Sequence, residues 1–196
     1  MRLNNYLNEN RLHVDQLDQL IDTIKKDCGP FLSQVKGKVT YPLVRSGKPF
    51  VREIKLIRKV ARTDRKAKHT KQETSDFYDE LFFKKFGWKP RKEGVFCWGR
   101  ERQWVNSIES FFMFPIGDFK FIWSPKISDL YAALPLSFKG ASLPEVVTHV
   151  MSEYTDKNLA AAINSEFEIS IKCKEYYLLA VRNNKDIFYV WEQLYK

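Results

Sequence analysis

Asn164-Ser165-Glu166-Phe167-Glu168-Ile169-Ser170-Ile171-Lys172-Cys173 places apolar side chains at Phe167, Ile169 and Ile171. That is the two-residue period of a strand with one buried face. Carboxylates at positions i and i+2 of a strand share a side, roughly 6–7 Å apart. Glu166 and Glu168 are therefore expected to point the same way. A carboxylate pair beside an aromatic body can stabilise a developing cation. It can equally be two solvated groups on an edge strand, since Glu-x-Glu is a common spacing.

The rest of the chain bounds what that strand can belong to. Its 196 residues suit one domain, and a chain of this size buries roughly 70% of its unfolded surface. Hydrophobic residues make up 44% and aromatic residues 15%, which favours a packed aromatic core. No apolar run reaches the ~18 residues of a membrane span, so no membrane partner is expected. Met-Arg-Leu-Asn-Asn-Tyr at the start has no signal-peptide core. Cys28, Cys97 and Cys173 are odd in number and widely spaced, which predicts neither a disulfide framework nor a zinc site and points to a reducing cytoplasm. His13, His69 and His149 are scattered, so no metal is expected. No Gly-x-Ser-x-Gly elbow or phosphate-cradling glycine loop is present. The net charge is +9, and much of it falls between Lys48 and Lys92. Such a surface attracts nucleic acid, acidic proteins or phosphate-bearing small molecules.

Along the chain, Val14–Lys26 has helical apolar spacing, stopped by Cys28-Gly29-Pro30, and Phe31–Val35 suits one more helical turn. Val39–Val44 reads as a strand weakened by Pro42 and running into Arg45-Ser46-Gly47. Glu53–Val60 suits a strand or short helix, followed by a basic loop. Thr74–Phe86 reads as a helix capped by Ser75-Asp76 and ended by Gly87. Val95–Trp98 is a short strand, and Arg100–Ser110 a short helix. Phe111–Trp123 reads as a hairpin turning at Pro115-Ile116-Gly117-Asp118. Ile127–Leu134 can be helical, Pro135–Pro144 a loop, and Leu143–Ala162 one or two helices. Tyr176–Arg182 is a further strand, and Ile187–Leu194 a last strand or helix.

The order of three features carries a resemblance. A strand ends in Leu43-Val44-Arg45-Ser46-Gly47, the strand Val95-Phe96-Cys97-Trp98-Gly99 follows, and Glu166-Phe167-Glu168 opens an alternating strand. This resembles the ADP-ribosyltransferase superfamily, in its branch built on an arginine, a serine-bearing strand and a Glu-x-Glu strand. The middle of the chain also resembles tailed-phage proteins of that fold. That second likeness rests on Asp64-Arg65-Lys66, Phe86-Gly87, Gly94-Val95-Phe96, Phe114-Pro115-Ile116-Gly117 and Trp123-Ser124-Pro125, and covers roughly Asp27 to Leu179. Where the family has its serine, this chain offers Phe96-Cys97-Trp98, with no hydroxyl.

The resemblance implies an α+β single domain, an ADP-ribosyltransferase-like split β-sandwich over 37–196, with an N-terminal helical segment, 1–36, packed on it. It implies NAD as co-substrate and a host protein or nucleic acid as acceptor, in the bacterial cytoplasm. Glu168 would stabilise the cationic ribose, and Glu166 would orient or deprotonate the acceptor, arginine being favoured by the first glutamate. Arg45 would serve catalysis and bind NAD with Ser46 and Gly47. Phe96, Cys97 and Trp98 would flank the nicotinamide, with Arg65, and Arg62 beside it, touching the pyrophosphate or the target. Two other readings stand beside this one. One is a non-catalytic module on the same scaffold that binds nucleic acid or an acidic host protein. The other is a structural virion component.

Overall fold

The computed structural model describes residues 2–47, 53–67, 71–99, 110–129, 143–181 and 184–196, with side chains from residue 14 onward except those of 143 and 184. Along these residues run α1 (Arg2–Asp27), α2 (Gly29–Val35), β1 (Val44–Ser46), β2 (Lys55–Val60), α3 (Gln72–Phe86), α4 (Pro90–Glu93), β3 (Val95–Trp98), β4 (Ser110–Trp123), α5 (Leu143–Ser152), α6 (Leu159–Asn164), β5 (Glu168–Ala180) and α7 (Asn184–Tyr195). The fold class is α+β.

All strand pairings are antiparallel. β5 is the hub. One of its edges pairs with β4, from Ile169 opposite Trp123 to Leu179 opposite Phe112. Its other edge serves β3 over 168–171 and β2 over 175–180. β1 then bridges β3 and β4, so four strands close into a barrel-like ring and β2 extends it.

Two expectations about the strands are corrected. Phe111–Trp123 is not a hairpin but the single fourteen-residue strand β4. Its Gly117 takes φ 63°, a left-handed conformation that also suits a turn. Here the glycine absorbs one extra residue: Ile116 faces Glu175 and Phe119 faces Cys173, a bulge after which the chain continues. The bulge resets the alternation, so Phe114 and Ile116 before it and Phe119, Phe121 and Trp123 after it meet one core. Pro115 fits because the Met113 amide donates to Leu43 on the edge away from β5. The missing N–H of Pro115 falls on that same edge, beyond the end of β1. Likewise, the two strands expected over 166–173 and 176–182 are one, β5. It starts at Glu168, so Glu166 lies in the bend before it.

The N-terminal helices share the core of the sheet. Leu17, Ile21 and Ile24 of α1 and Phe31 and Val35 of α2 are buried with Phe114, Ile171, Leu179 and Tyr195. The Phe31 ring meets Phe114 and Phe119 edge-on, at centroid distances of 6.1 and 5.9 Å. Burying one such ring contributes roughly 2–3 kcal/mol. A second core joins Tyr78, Phe82 and Trp88, on and after α3, to Val146, Val147 and Val150 of α5. The Lys85 ammonium ties α3 to the end of α5 by donating to the carbonyls of Met151 (2.9 Å) and Tyr154 (2.7 Å), the second just beyond the helix.

Ser75 and Asp76 do not cap α3. The helix starts at Gln72, two residues before the expected Thr74, and Ser75 is buried within it. The apolar period that marks this helix begins only at Phe77, so its polar first turn carries no periodic signal. β1 is shorter than the Val39–Val44 reading and lies later, through Arg45 and Ser46. Ile187–Leu194 falls in the helix α7, and Leu143–Ala162 divides between α5 and α6. Ile127–Asp129 is not helical. The remainder of that stretch, the expected helix over 100–109 and the loop over 135–142 lie outside the described residues.

Candidate active site

Strand alternation sets one wall of a cleft. In β3, Val95 and Cys97 are buried in the core, while Phe96 and Trp98 are half-buried and line the cleft. In β5, Ile169 and Ile171 go to the core, and Glu168 and Tyr176 line the cleft. Arg45 of β1 joins them. The basic loop after β2 and the α3–α4 corner complete a volume of about 490 Å³.

The cations are held by backbone carbonyls rather than left to swing. Arg45 Nη1 donates to the Phe96 carbonyl at 2.7 Å. Arg65 Nη1 donates to the Gly94 carbonyl at 2.6 Å, and its guanidinium stacks 4.6 Å from the Phe96 ring centroid. Two arginines therefore grip the same strand, one by its backbone and one over its ring.

Arg91 enters from α4. Its backbone N–H donates to Asp79 Oδ1 at 2.8 Å, and its Nε donates to Ser75 Oγ at 3.4 Å. Asp79 is 3% exposed. Burial pushes its carboxyl up to about 6, against the amides of Arg91 and Lys92 that favour the ionised form. Asp79→Ala removes the acceptor of the Arg91 amide at the start of α4. It is expected to cost about 2–3 kcal/mol in a urea titration and to loosen Arg91. An unchanged midpoint would show that the corner does not depend on this carboxylate.

The charges act on one another. Burial, then the guanidiniums of Arg45, Arg62 and Arg91, hold Arg65 below the ordinary guanidinium range, and Glu168 opposes this. Glu168 itself is pushed up to about 7, first by burial and then by Asp129, against Arg91 and Arg65. The cleft thus favours a bound anion and carries a carboxyl that changes charge near neutrality.

The structure brings together Arg45, Arg62, Arg65, Phe96, Trp98 and Glu168. It does not bring Glu166, Ser46, Gly47 or Cys97 to the cleft lining. Glu166 is exposed on the bend, Gly47 is exposed, and Ser46 ends β1 outside the lining. Cys97 faces the core at 0% exposure, and burial pushes its thiol up to about 12. It carries no hydroxyl, so the serine of the expected motif has no counterpart on β3. The serine hydroxyl in this cleft comes from Ser75 of α3.

No family model, curated protein or solved structure matches this chain. Arg91, Ser75, Asp129, Lys66, Ala67 and Tyr176 line the cleft without a site role read from the sequence. Only Lys66 and Tyr176 had a signal, the first by membership of the basic run and the second by sharing strand parity with Glu168. Arg91 and Asp129 carry none, because tertiary packing alone brings them in. Among the described residues, no group of three His, Cys, Asp or Glu side chains could hold a metal ion. No helix there is long and apolar enough to cross a membrane.

Proposed function

We propose that this protein is a phage-encoded mono-ADP-ribosyltransferase that uses NAD to modify a host macromolecule. The observation that carries this reading is Glu168. It sits half-buried in a cleft whose other charged groups are mostly guanidiniums and whose walls include Phe96 and Trp98. Those side chains suit a dinucleotide in kind: fixed cations for a pyrophosphate, aromatic faces for a flat ring, and a carboxylate for a sugar. The transferase-like split β-sandwich belongs to the same reading. The barrel-like ring that β1 closes does not by itself match that sandwich; what speaks for the reading is the cleft beside the fork where β5 passes its edge from β3 to β2.

In this reading, ionised Glu168 stabilises the positive charge that grows on the ribose as nicotinamide departs, an electrostatic task suited to a shielded cleft. Arg45 and Arg65 are pre-positioned by their carbonyl bonds and hold phosphate without reorganising.

One observation favours a second reading. Arg45, Arg62, Arg65, Lys66 and Arg91 all line the cleft, and such a ring also suits the phosphates of a nucleic acid bound without chemistry. Incubation with labelled NAD and a bacterial lysate separates the two. The transferase reading expects label on a macromolecule. No transfer, together with no NAD-dependent rise in melting temperature, would overturn it. Salt-sensitive retention of RNA or DNA would then favour the binding module.

A further inference from the structure

We propose that Asp129, rather than Glu166, is the second carboxylate of the site and receives the acceptor's proton. This rests on the transferase reading and deepens it.

The chain after β4 is tied down at each step. The Trp123 and Thr155 backbones exchange hydrogen bonds at 3.0 and 2.9 Å, and Trp123 Nε1 donates to the Lys157 carbonyl at 2.8 Å. The buried Ser124 Oγ accepts from the amides of Lys126 and Ile127 at 3.2 and 3.0 Å, folding the segment back. The Glu168 amide then donates to the Ser128 carbonyl at 2.8 Å. This last bond pins the residue next to Asp129 against the first residue of β5, and both carboxylates line the same cleft. Asp129 is the charge that most strongly opposes ionisation of Glu168. Arg65 and Arg91 face Glu168 from the basic loop and from α4, and Tyr154, at the end of α5, lies in the field of both carboxylates. Glu166 is on the exposed bend, outside the lining.

The division of labour follows from the geometry. Glu168 stabilises the ribose cation as the C1′–N bond to nicotinamide breaks and its electron pair leaves with nicotinamide. The acceptor nitrogen, or oxygen, forms the new bond to C1′ and passes its proton to a carboxylate oxygen of Asp129. No other reactant is needed.

The test compares wild type, Asp129→Asn and Glu166→Gln in two assays on labelled NAD, namely release of nicotinamide to water and transfer to lysate macromolecules. Asp129→Asn is expected to lose transfer by about a hundredfold or more and to lose less of NAD hydrolysis, since attacking water can pass its proton to solvent. Glu166→Gln is expected to keep both. Full transfer by Asp129→Asn, or loss of transfer confined to Glu166→Gln, would overturn the assignment while leaving the transferase reading standing. A wild type silent in both assays would overturn the two together. A carboxylate-labelled NMR titration gives a readout independent of activity. Asp129→Asn is expected to move the Glu168 midpoint down toward the ordinary carboxylate range, and Glu166→Gln to leave it in place. An unmoved Glu168 in Asp129→Asn would also overturn the pairing, provided the spectrum shows a folded variant.

Discussion

Under the proposed transferase function, Glu168→Gln is expected to lower ADP-ribose transfer by about 10²–10³-fold or more; independently of it, the variant is expected at pH 8 to raise the melting temperature. Glutamine keeps the shape of the side chain and removes its charge, so the electrostatic stabilisation of the ribose goes while the packing stays. The stability effect follows from the proton. In the folded protein Glu168 is pushed up to about 7 by burial and Asp129, whereas an unfolded glutamate titrates near ~4.3. Between these values the native state binds the extra proton. Stability therefore falls as pH rises through this window, by roughly 4 kcal/mol at most for a fully shielded group and by less for half-buried Glu168. Glutamine does not carry that cost. Melting curves should separate the variant from wild type at pH 8 and bring them together at about pH 4 and below, under the unfolded value. Equal curves at both values would mean that the carboxyl is well solvated. Wild-type transfer should rise with pH through about 7, as Glu168 acquires its charge.

Gly99→Ala is expected to destabilise the fold by about 4 kcal/mol or more. A Cβ at this position would lie 1.7 Å from the Ile163 carbonyl oxygen and 2.5 Å from its Cα. These are backbone atoms of α6, a helix whose Leu159, Ala162 and Ile163 are buried. No side-chain rotation can relieve the overlap, so α6 must separate from the end of β3. Because Gly99 directly follows Trp98, the cleft wall would shift with it. Gly29→Ala is the control: its Cβ would meet nothing within 4 Å, at the first position of α2. There the change is expected to be neutral, or stabilising by a few tenths of a kcal/mol. Urea midpoints for the two variants should differ widely. A Gly99→Ala midpoint close to wild type would mean that α6 does not pack on β3 as closely as described.

The strand β5 was legible because Ile169 and Ile171 alternate, and the same periodicity placed Glu168 on the face opposite the core. The arginines of the basic loop were legible as charge, and Phe96 and Trp98 as alternate residues of a short strand. Gly117 shows where local reading stops. Its left-handed backbone suits both a turn and a bulge, and only the pairing of β4 with β5 along its whole length selects the bulge. Glu166 shows the same limit on a smaller scale. The i and i+2 rule holds inside a strand, and β5 begins two residues later.

By itself, the sequence determined the α+β class, the helices with an apolar period, the cationic character of the chain and the carboxylate Glu168. These are properties of neighbouring residues, set by side-chain spacing and charge. Tertiary structure alone decided which residues meet. It closed the sheet through the short strand β1, sent Cys97 into the core, lifted Arg91 into the cleft on the Asp79 carboxylate, and set Asp129 beside Glu168 through the Ser128 carbonyl. Each depends on a hydrogen bond or packing contact between segments far apart in the chain, and such pairings leave no periodic trace in the residues that make them.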